Sequence, residues 1–209
     1  MLSPALGRPK DLKKREAILA SATQLFLELG YEGSSMDKIA KLAGVSKLTV
    51  YNHFQDKEHL FGAAISLACD TRIPKYLFEI DQHADVKEAL LNVGCHFLSA
   101  LYSPEAIKLT LLMSSLVQTN PEIVHLFYEA GPRKTHQNIE QLFTKIAQLR
   151  KMHIDNVTVA YQLFISLLTD INYNHVLWNI KPVPTEHEIQ KHVLQQLDIL
   201  FKVYPNQST

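Results

Sequence analysis

Five polar or aromatic side chains lie within seven consecutive positions, and their types suit contact with a nucleic acid. They are Lys47, Thr49, Tyr51, Asn52 and His53. Ammonium, hydroxyl and amide groups donate to DNA phosphates and recognise base edges. If Val50 and Phe54 face a protein core, a helix over this stretch exposes all five. A solvated helix face is the alternative, although tyrosine and histidine are unusual choices for contact with water alone.

The elements around these residues predict a helix-turn-helix. Apolar residues at helical spacing predict a first short helix, which Ser34 or Ser35 can cap, with Asp37 as a capping-box acid. Gly44 follows, and glycine ends a helix at little cost because it has no Cβ. Ser46 is a good N-cap for the second helix. Two short helices joined by a glycine-containing turn match the unit that places its second helix in the major groove, so double-stranded DNA is the predicted partner.

Charge is unevenly distributed along the 209 residues. Lys and Arg together number 21, as do Asp and Glu, so the formal net charge is zero. Residues 1–15 nevertheless carry five basic side chains against Asp11 alone. Affinity for phosphates depends on charge placed locally rather than on the total. Arg8 and Lys10 belong to a basic arm that either contacts the minor groove and flanking phosphates or merely keeps the chain soluble.

The apolar spacing is helical from end to end, and no segment alternates as a strand would. The sequence therefore predicts an all-α fold of nine helices. Single helices are expected over 121–149, interrupted at Gly131-Pro132, and over 155–178. Pro74 is expected to shorten or kink the fourth helix.

The predicted boundaries divide the chain into a flexible arm at 1–10, a helix-turn-helix domain at 11–56 and a second helical domain at 57–209. In the last, helix 155–178 is apolar on several sides and must be buried on several sides. The final helix has apolar residues every 3.6 positions, so one of its faces is apolar. A helix at the end of a small domain seldom buries so large an apolar face against its own chain. These two helices predict a homodimer with a four-helix interface. An ordinary intramolecular core is the alternative.

The combined pattern over residues 15–61 resembles the DNA-binding domain of TetR/AcrR-type transcriptional regulators. The matching residues are Ala22 and Phe26, Gly30-Tyr31, Ser35 to Ala40, Ala43 to Ser46, Tyr51 to Phe54, Lys57-Glu58 and Leu60-Phe61. The resemblance implies a nine-helix, all-α homodimer with an N-terminal three-helix domain and a C-terminal domain for dimerisation and ligand binding. It further implies a repressor that a small-molecule inducer releases from a palindromic operator. An activator, an all-α enzyme and a DNA-binding protein without regulated release are the alternatives.

The resemblance also assigns contacts. It implies that Lys47, Thr49 and Asn52 contact base edges, and that Tyr51 and His53 contact phosphate or sugar. Ser46 begins the same helix. Leu48 departs from the family, in which a small or polar residue is frequent there, and it either meets a thymine methyl or packs inward. Ser35 and Lys57 lie at helix N-termini, where free backbone N–H groups favour phosphate.

For the ligand, the sequence offers residues that combine apolar walls with a few polar groups, as small-molecule sites do. They are Tyr102, Met113, Phe127, Tyr128, Phe164, Tyr173, Asn174 and Trp178. Each of these types is more often a core residue than a pocket residue. The expected effector is accordingly a partly apolar small molecule.

No set of residues predicts catalysis, a metal or a cofactor. Glu122 and His125 form one half of a di-iron arrangement, which requires a second such pair. Cys69 and Cys95 lie in apolar helical surroundings, which is typical of buried thiols. No apolar run reaches the roughly 18 residues of a membrane span, and the N-terminus lacks a signal-peptide core. We expect a cytoplasmic protein that is not an enzyme and does not associate with a membrane.

Overall fold

A computed structural model describes residues 9–206, and every regular element in that range is a helix. The α-helices are α1 (Pro9–Gly33), α2 (Met36–Leu42), α3 (Lys47–His53), α4 (Lys57–Arg72), α5 (Val86–Leu101), α6 (Pro104–Leu116), α7 (Pro121–Ala130), α8 (Pro132–Gln148), α9 (Val157–Leu168), α10 (Ile171–Leu177) and α11 (Glu186–Val203). A 3-10 helix, Lys75–Phe78, follows α4. The predicted all-α fold is confirmed.

Eleven α-helices are described where nine were predicted, because two predicted helices are each divided. Pro132 begins α8 and lacks the N–H that would continue α7, so the chain breaks at Gly131. Between α9 and α10, the Asp170 carboxylate accepts from the backbone N–H two residues on, at 2.8 Å, and caps a new helix. The fourth helix ends at Arg72, just before Pro74, which confirms the predicted shortening.

The chain folds into two compact units. The first comprises the residues up to 68 together with 112–131. Its core contains Phe26, Tyr31 and Phe61, whose ring centroids lie 5.0 to 5.9 Å apart. Gly30 interrupts the helical geometry of α1 with a φ of 73°, a conformation that glycine adopts without a Cβ clash. This break precedes Tyr31 and lets its ring stack on Phe26.

The second unit comprises residues 69–111 and those from 132 onward. Its core is formed by α5, α8, α9 and α11. Helices α5 and α11 approach each other at Gly94, where a Cβ would lie 2.7 Å from Cγ1 of Val193. Lys87 and Asp198 pair across the same two helices at 2.9 Å.

The core of the second unit corrects one prediction about the final helix. Its apolar stripe is buried within the chain itself: Ile189, Val193, Leu197 and Leu200 are at most 5% exposed. The expectation that the chain could not cover this stripe is wrong, because α5 and α9 pack against it. A dimer that used this helix would have to contact it through other residues.

Candidate nucleic-acid interface

The turn between α2 and α3 has the hydrogen-bond pattern of a Schellman motif. The N–H of Gly44 donates to the Lys41 carbonyl at 3.3 Å, and the N–H of Val45 donates to the Ala40 carbonyl at 3.0 Å. Gly44 has a φ of 66°, the left-handed conformation that this motif requires. The predicted stop at Gly44 is confirmed, and the motif fixes the direction in which the chain enters α3.

Serine hydroxyls cap both helices of the unit. Oγ of Ser46 accepts from the backbone N–H of Thr49 at 3.1 Å, and the two hydroxyls lie 2.8 Å apart. Oγ of Ser35 accepts from the N–H of Lys38 at 3.3 Å. The predicted capping box with Asp37 is wrong, because Ser35 is the cap and the third helical position is then Lys38.

Helix α3 has one buried and one exposed face. Val50 is fully buried and Phe54 is 4% exposed, so both face the core as predicted. Leu48 is 69% exposed and does not pack inward. The exposed or half-buried side chains that share the outer face are Ser46, Lys47, Leu48, Thr49, Tyr51 and Asn52. The structure thus brings six of the predicted contact residues together on a single short helix and its cap.

Lys47 is held in place on this face by two neighbours. Its Nζ lies 2.8 Å from Oδ1 of Asp37 on α2 and 5.9 Å from the centre of the Tyr51 ring. The hydrogen bond to Asp37 raises the pKa of Lys47, so its amine stays charged. Asp37 was missed as a partner because only the folded turn brings positions 37 and 47 together.

His53 lies at the edge of this face and contacts α1 instead. Its Nε2 is 3.2 Å from Oδ1 of Asp11, and its side chain is only 13% exposed. Next to it, the guanidinium of Arg15 lies 4.8 Å from the centre of the Phe54 ring. Both contacts join α3 to α1. His53 therefore helps to hold α3 in place.

Lys57, in the first turn of α4, also contacts the protein. Its Nζ donates to the carbonyls of Tyr31 at 3.1 Å and Ser34 at 3.3 Å, and it lies 4.0 Å from the centre of the Tyr31 ring. Burial, with a smaller contribution from Glu58, raises the pKa of Tyr31 to about 12. Two predicted phosphate contacts are not described by the structure: Arg8 precedes residue 9, and the side chain of Lys10 lies outside the described residues.

The predicted ligand residues are found in both units. Met113, Phe127 and Tyr128 belong to the first unit, and the others belong to the second. Phe164 is a core residue 5.6 Å from Phe143, ring centre to ring centre, and Trp178 is 61% exposed. Asn174 is half-buried, as is Tyr173, whose ring centre lies 5.9 Å from that of Tyr102.

Of the predicted ligand residues, Tyr102 lines a cavity of about 380 Å³ in the second unit. Its other lining residues include Asn172, Lys181 and His192, which sequence reasoning missed. The signal that could have found them is the segment with Pro182 and Pro184, which lines the same cavity.

Three further features of the described part of the chain concern metal clusters, thiols and membrane-spanning helices. Residues 9–206 contain no cluster of three or more His, Cys, Asp or Glu side chains that could hold a metal ion. Cys69 and Cys95 are both free and partly buried, and burial raises the pKa of both thiols. No described helix is both long enough and apolar enough to cross a bilayer.

Comparison with known proteins shows that two segments of the chain each match a protein family. Residues 18–64 match the family described as bacterial regulatory proteins of the tetR family, and residues 88–206 match the C-terminal domain of AefR-like transcriptional repressors. The chain is 30% identical over 149 residues to the uncharacterised HTH-type transcriptional regulator YhgD of Bacillus subtilis. That alignment covers 70% of this chain and 60% of the relative, so the chain spans less than two thirds of that relative's length.

Solved structures agree with these sequence matches. A TetR-family transcriptional regulator from Mesorhizobium loti is similar with a TM-score of 0.79 at 24% identity, over 94% of this chain and 99% of the other. The flavonoid-responsive regulator FrrA is similar with a TM-score of 0.73 at 28% identity, over 91% and 96% of the two chains. The C-terminal family match alone covers more than half of the 209 residues. With a helix-turn-helix whose second helix is exposed, the chain belongs to the TetR family of DNA-binding transcriptional regulators, which are not enzymes.

Proposed function

We propose that the protein is a dimeric repressor that binds a palindromic operator and that a small molecule releases. The observation that carries this proposal is the outer face of α3, which is exposed, rich in donors and held rigidly by the Schellman turn and the Ser46 cap. Such a helix fits the major groove, whose base edges carry distinct donors and acceptors. Because an operator lies on cellular DNA, the proposed location is the cytoplasm.

Base contacts are assigned to the outer face of α3. Lys47, Thr49 and Asn52 contact base edges, and the exposed Leu48 meets a thymine methyl. Tyr51 contacts phosphate or sugar from the same face. The remaining contacts in the proposal are Ser35, Ser46, His53, Lys57, Arg8 and Lys10. His53 pairs with Asp11, and Lys57 donates to the Tyr31 carbonyl. When DNA binds, each side chain must either contact DNA in addition to this partner or give up the partner.

Mobility-shift and anisotropy measurements on the region upstream of the gene test the DNA assignment. Asn52→Ala is expected to change the preferred sequence, because it removes a base contact. Lys57→Ala is expected to weaken binding to all sequences and to lower the salt slope by about one, the contribution of one phosphate contact. Lys75→Ala is the matched control, since Lys75 is exposed on the 3-10 helix outside the proposed interface. Equal losses for Asn52→Ala on all operators contradict its assignment.

A homodimer is supported by apolar side chains left exposed on α9 and α11. Val159 is 51% exposed, Ile199 is 44% exposed, and Val203, one turn further along α11, is 53% exposed. A two-fold interface formed by α9 and α11 would cover apolar side chains of this kind. Ile199→Glu is expected to produce monomers in sedimentation experiments, and Tyr76→Glu, at an exposed position of the 3-10 helix, is the control. A stable wild-type monomer at micromolar concentration contradicts the dimer.

The dimer sets the spacing of the two recognition helices, which must be about 34–36 Å for adjacent major grooves. An effector releases the DNA only if it binds a conformation with another spacing more tightly. Similarity to a flavonoid-responsive regulator supports a small-molecule effector, and the match to AefR-like repressors supports repression. The arm at 1–10 and domains at 11–56 and 57–209 remain part of this proposal.

A further inference from the structure

The second unit contains a cavity whose walls combine apolar and polar groups. It has a volume of about 380 Å³ and lies between the C-terminal end of α5, α10, the segment 181–184 and the start of α11. Leu98, Val176 and Ile189 supply apolar wall. Its size falls within the range of small-molecule sites.

The Tyr102 hydroxyl is an unused hydrogen-bonding group in this wall. The residue is 5% exposed, and its hydroxyl has no hydrogen-bond partner within residues 9–206. Burial, with the nearby Asp170 carboxylate, raises the pKa of Tyr102 to about 12, so the hydroxyl keeps its proton and can donate. The hydroxyl is not one of the fully buried polar atoms that lack a partner, so it remains accessible, and a ligand acceptor would take the place of water on it.

A cation lies on the same cavity. Nζ of Lys181 donates to Oδ1 of Asn172 at 2.8 Å, and the orientation of that amide is fixed by its other end, which donates to Asp170 at 2.9 Å. Asn172 is neutral, so Lys181 has no charge partner among the described residues. The ammonium retains donors for a second acceptor.

The other titratable groups of the cavity are already engaged. The Glu188 carboxylate accepts from the N–H and hydroxyl of Thr185, and these bonds lower its pKa. Nε2 of His192 lies 3.1 Å from the Leu168 carbonyl and must donate to it, since a carbonyl only accepts. Among the hydroxyl, amine, carboxyl and imidazole groups that line the cavity, Tyr102 and Lys181 are therefore the ones still able to donate to a ligand.

We propose that this cavity binds the effector, a small and mainly apolar carboxylic acid whose carboxylate accepts from the Tyr102 hydroxyl and lies beside the Lys181 ammonium. This inference rests on the proposed function, because it identifies the effector site of the regulator. It names the chemical class of the effector, and it selects one of the eight residues that the sequence suggested.

Calorimetric titration of the full-length protein with matched probes tests the proposal. The acids are benzoate, 2-naphthoate and decanoate. The neutral control is 2-acetylnaphthalene, in which a methyl ketone replaces the carboxylate of 2-naphthoate. We expect at least one acid to bind wild-type protein, and 2-naphthoate to bind more tightly than the ketone. Tyr102→Phe is expected to weaken acid binding by about two- to tenfold, the loss of one hydrogen bond. Lys181→Gln is expected to weaken the acids by about two- to fivefold at low salt and to leave the ketone unchanged.

Tyr161→Phe is the matched control, because that ring contacts His136 and does not line the cavity. Tyr102→Phe should melt no lower than wild type, since its hydroxyl bonds to no described residue, so a loss of binding is not a loss of fold. Absence of binding by all three acids, or unchanged affinity in both Tyr102→Phe and Lys181→Gln, overturns the proposal. Binding to the operator is measured separately, without any of the probes. Loss of operator binding would contradict the proposed function, whereas loss of probe binding alone would contradict only the proposed effector site.

Discussion

Gly44 provides a quantitative test of how the turn fixes the recognition helix. Its φ of 66° is unfavourable for residues with a Cβ, at a cost of about 1–2 kcal/mol for alanine. A Cβ built at Gly44 meets no atom within 4 Å, so the backbone conformation is the whole cost. With about 2–4 °C of melting temperature per kcal/mol for a chain of this size, Gly44→Ala should melt about 2–8 °C lower.

A series at this position separates conformation from size. Gly44→Asn should lose least, because asparagine tolerates the left-handed region, and Gly44→Val should lose most, because a β-branched residue does not. Thermal unfolding followed by circular dichroism gives the order, and operator titration shows whether DNA affinity falls with it.

Gly62→Ala is the control for the Gly44 series. Gly62 lies inside α4, where a Cβ would meet Leu126 at an ordinary 3.5 Å, so alanine should raise stability there. Equal melting temperatures for the Asn, Ala and Val variants of Gly44 would show that the left-handed conformation carries no such cost.

Three further predictions concern other parts of the chain. Leu48→Ala should leave the melting temperature unchanged, because Leu48 is 69% exposed, but should change the preferred operator sequence in a binding selection. Gly94→Ala should destabilise, because a Cβ there lies 2.7 Å from Val193, whose β-branched side chain cannot move aside. In a Val193→Ala background, Gly94→Ala should leave the free energy of unfolding in urea unchanged or raise it. A lower free energy of unfolding in that background would show that the contact with Val193 is not the cause. Tyr31 has a folded pKa of about 12 against about 10 unfolded, so above pH 10 only the unfolded state loses the proton and stability falls. Tyr31→Phe should flatten that fall in unfolding measured from pH 9 to 11, and an unchanged slope would contradict the assignment.

The helix-turn-helix could be predicted nearly residue by residue because its signals are local. Ser35, Gly44 and Ser46 act on backbone groups within five positions, and the structure shows each in its predicted role. Asp37 was assigned wrongly because a shift of one residue in the cap removes it from the capping position. Its true partner, Lys47, is set by the turn rather than by spacing.

Long-range packing is where sequence reasoning failed. The stripe of α11 was assigned to a partner subunit, but the close approach of Val193 to Gly94 buries it within the chain. Periodicity shows that a stripe must be covered and does not show by what. The ligand residues stay a prediction, because a cavity depends on several distant segments that no sequence pattern brings together. Tyr102 lines the cavity of the second unit, and Lys181 and Asn172, which line it too, carry no periodic signal.

Selection of bound sequences from random DNA by the full-length protein tests whether α3 is the recognition helix. We expect enrichment of an inverted repeat whose half-site centres are about one helical turn apart, with the preferred bases changed by Leu48→Ala and by Asn52→Ala. No enrichment by a folded dimer at low salt, or a motif that neither α3 substitution alters, would contradict the assignment of α3 as the recognition helix.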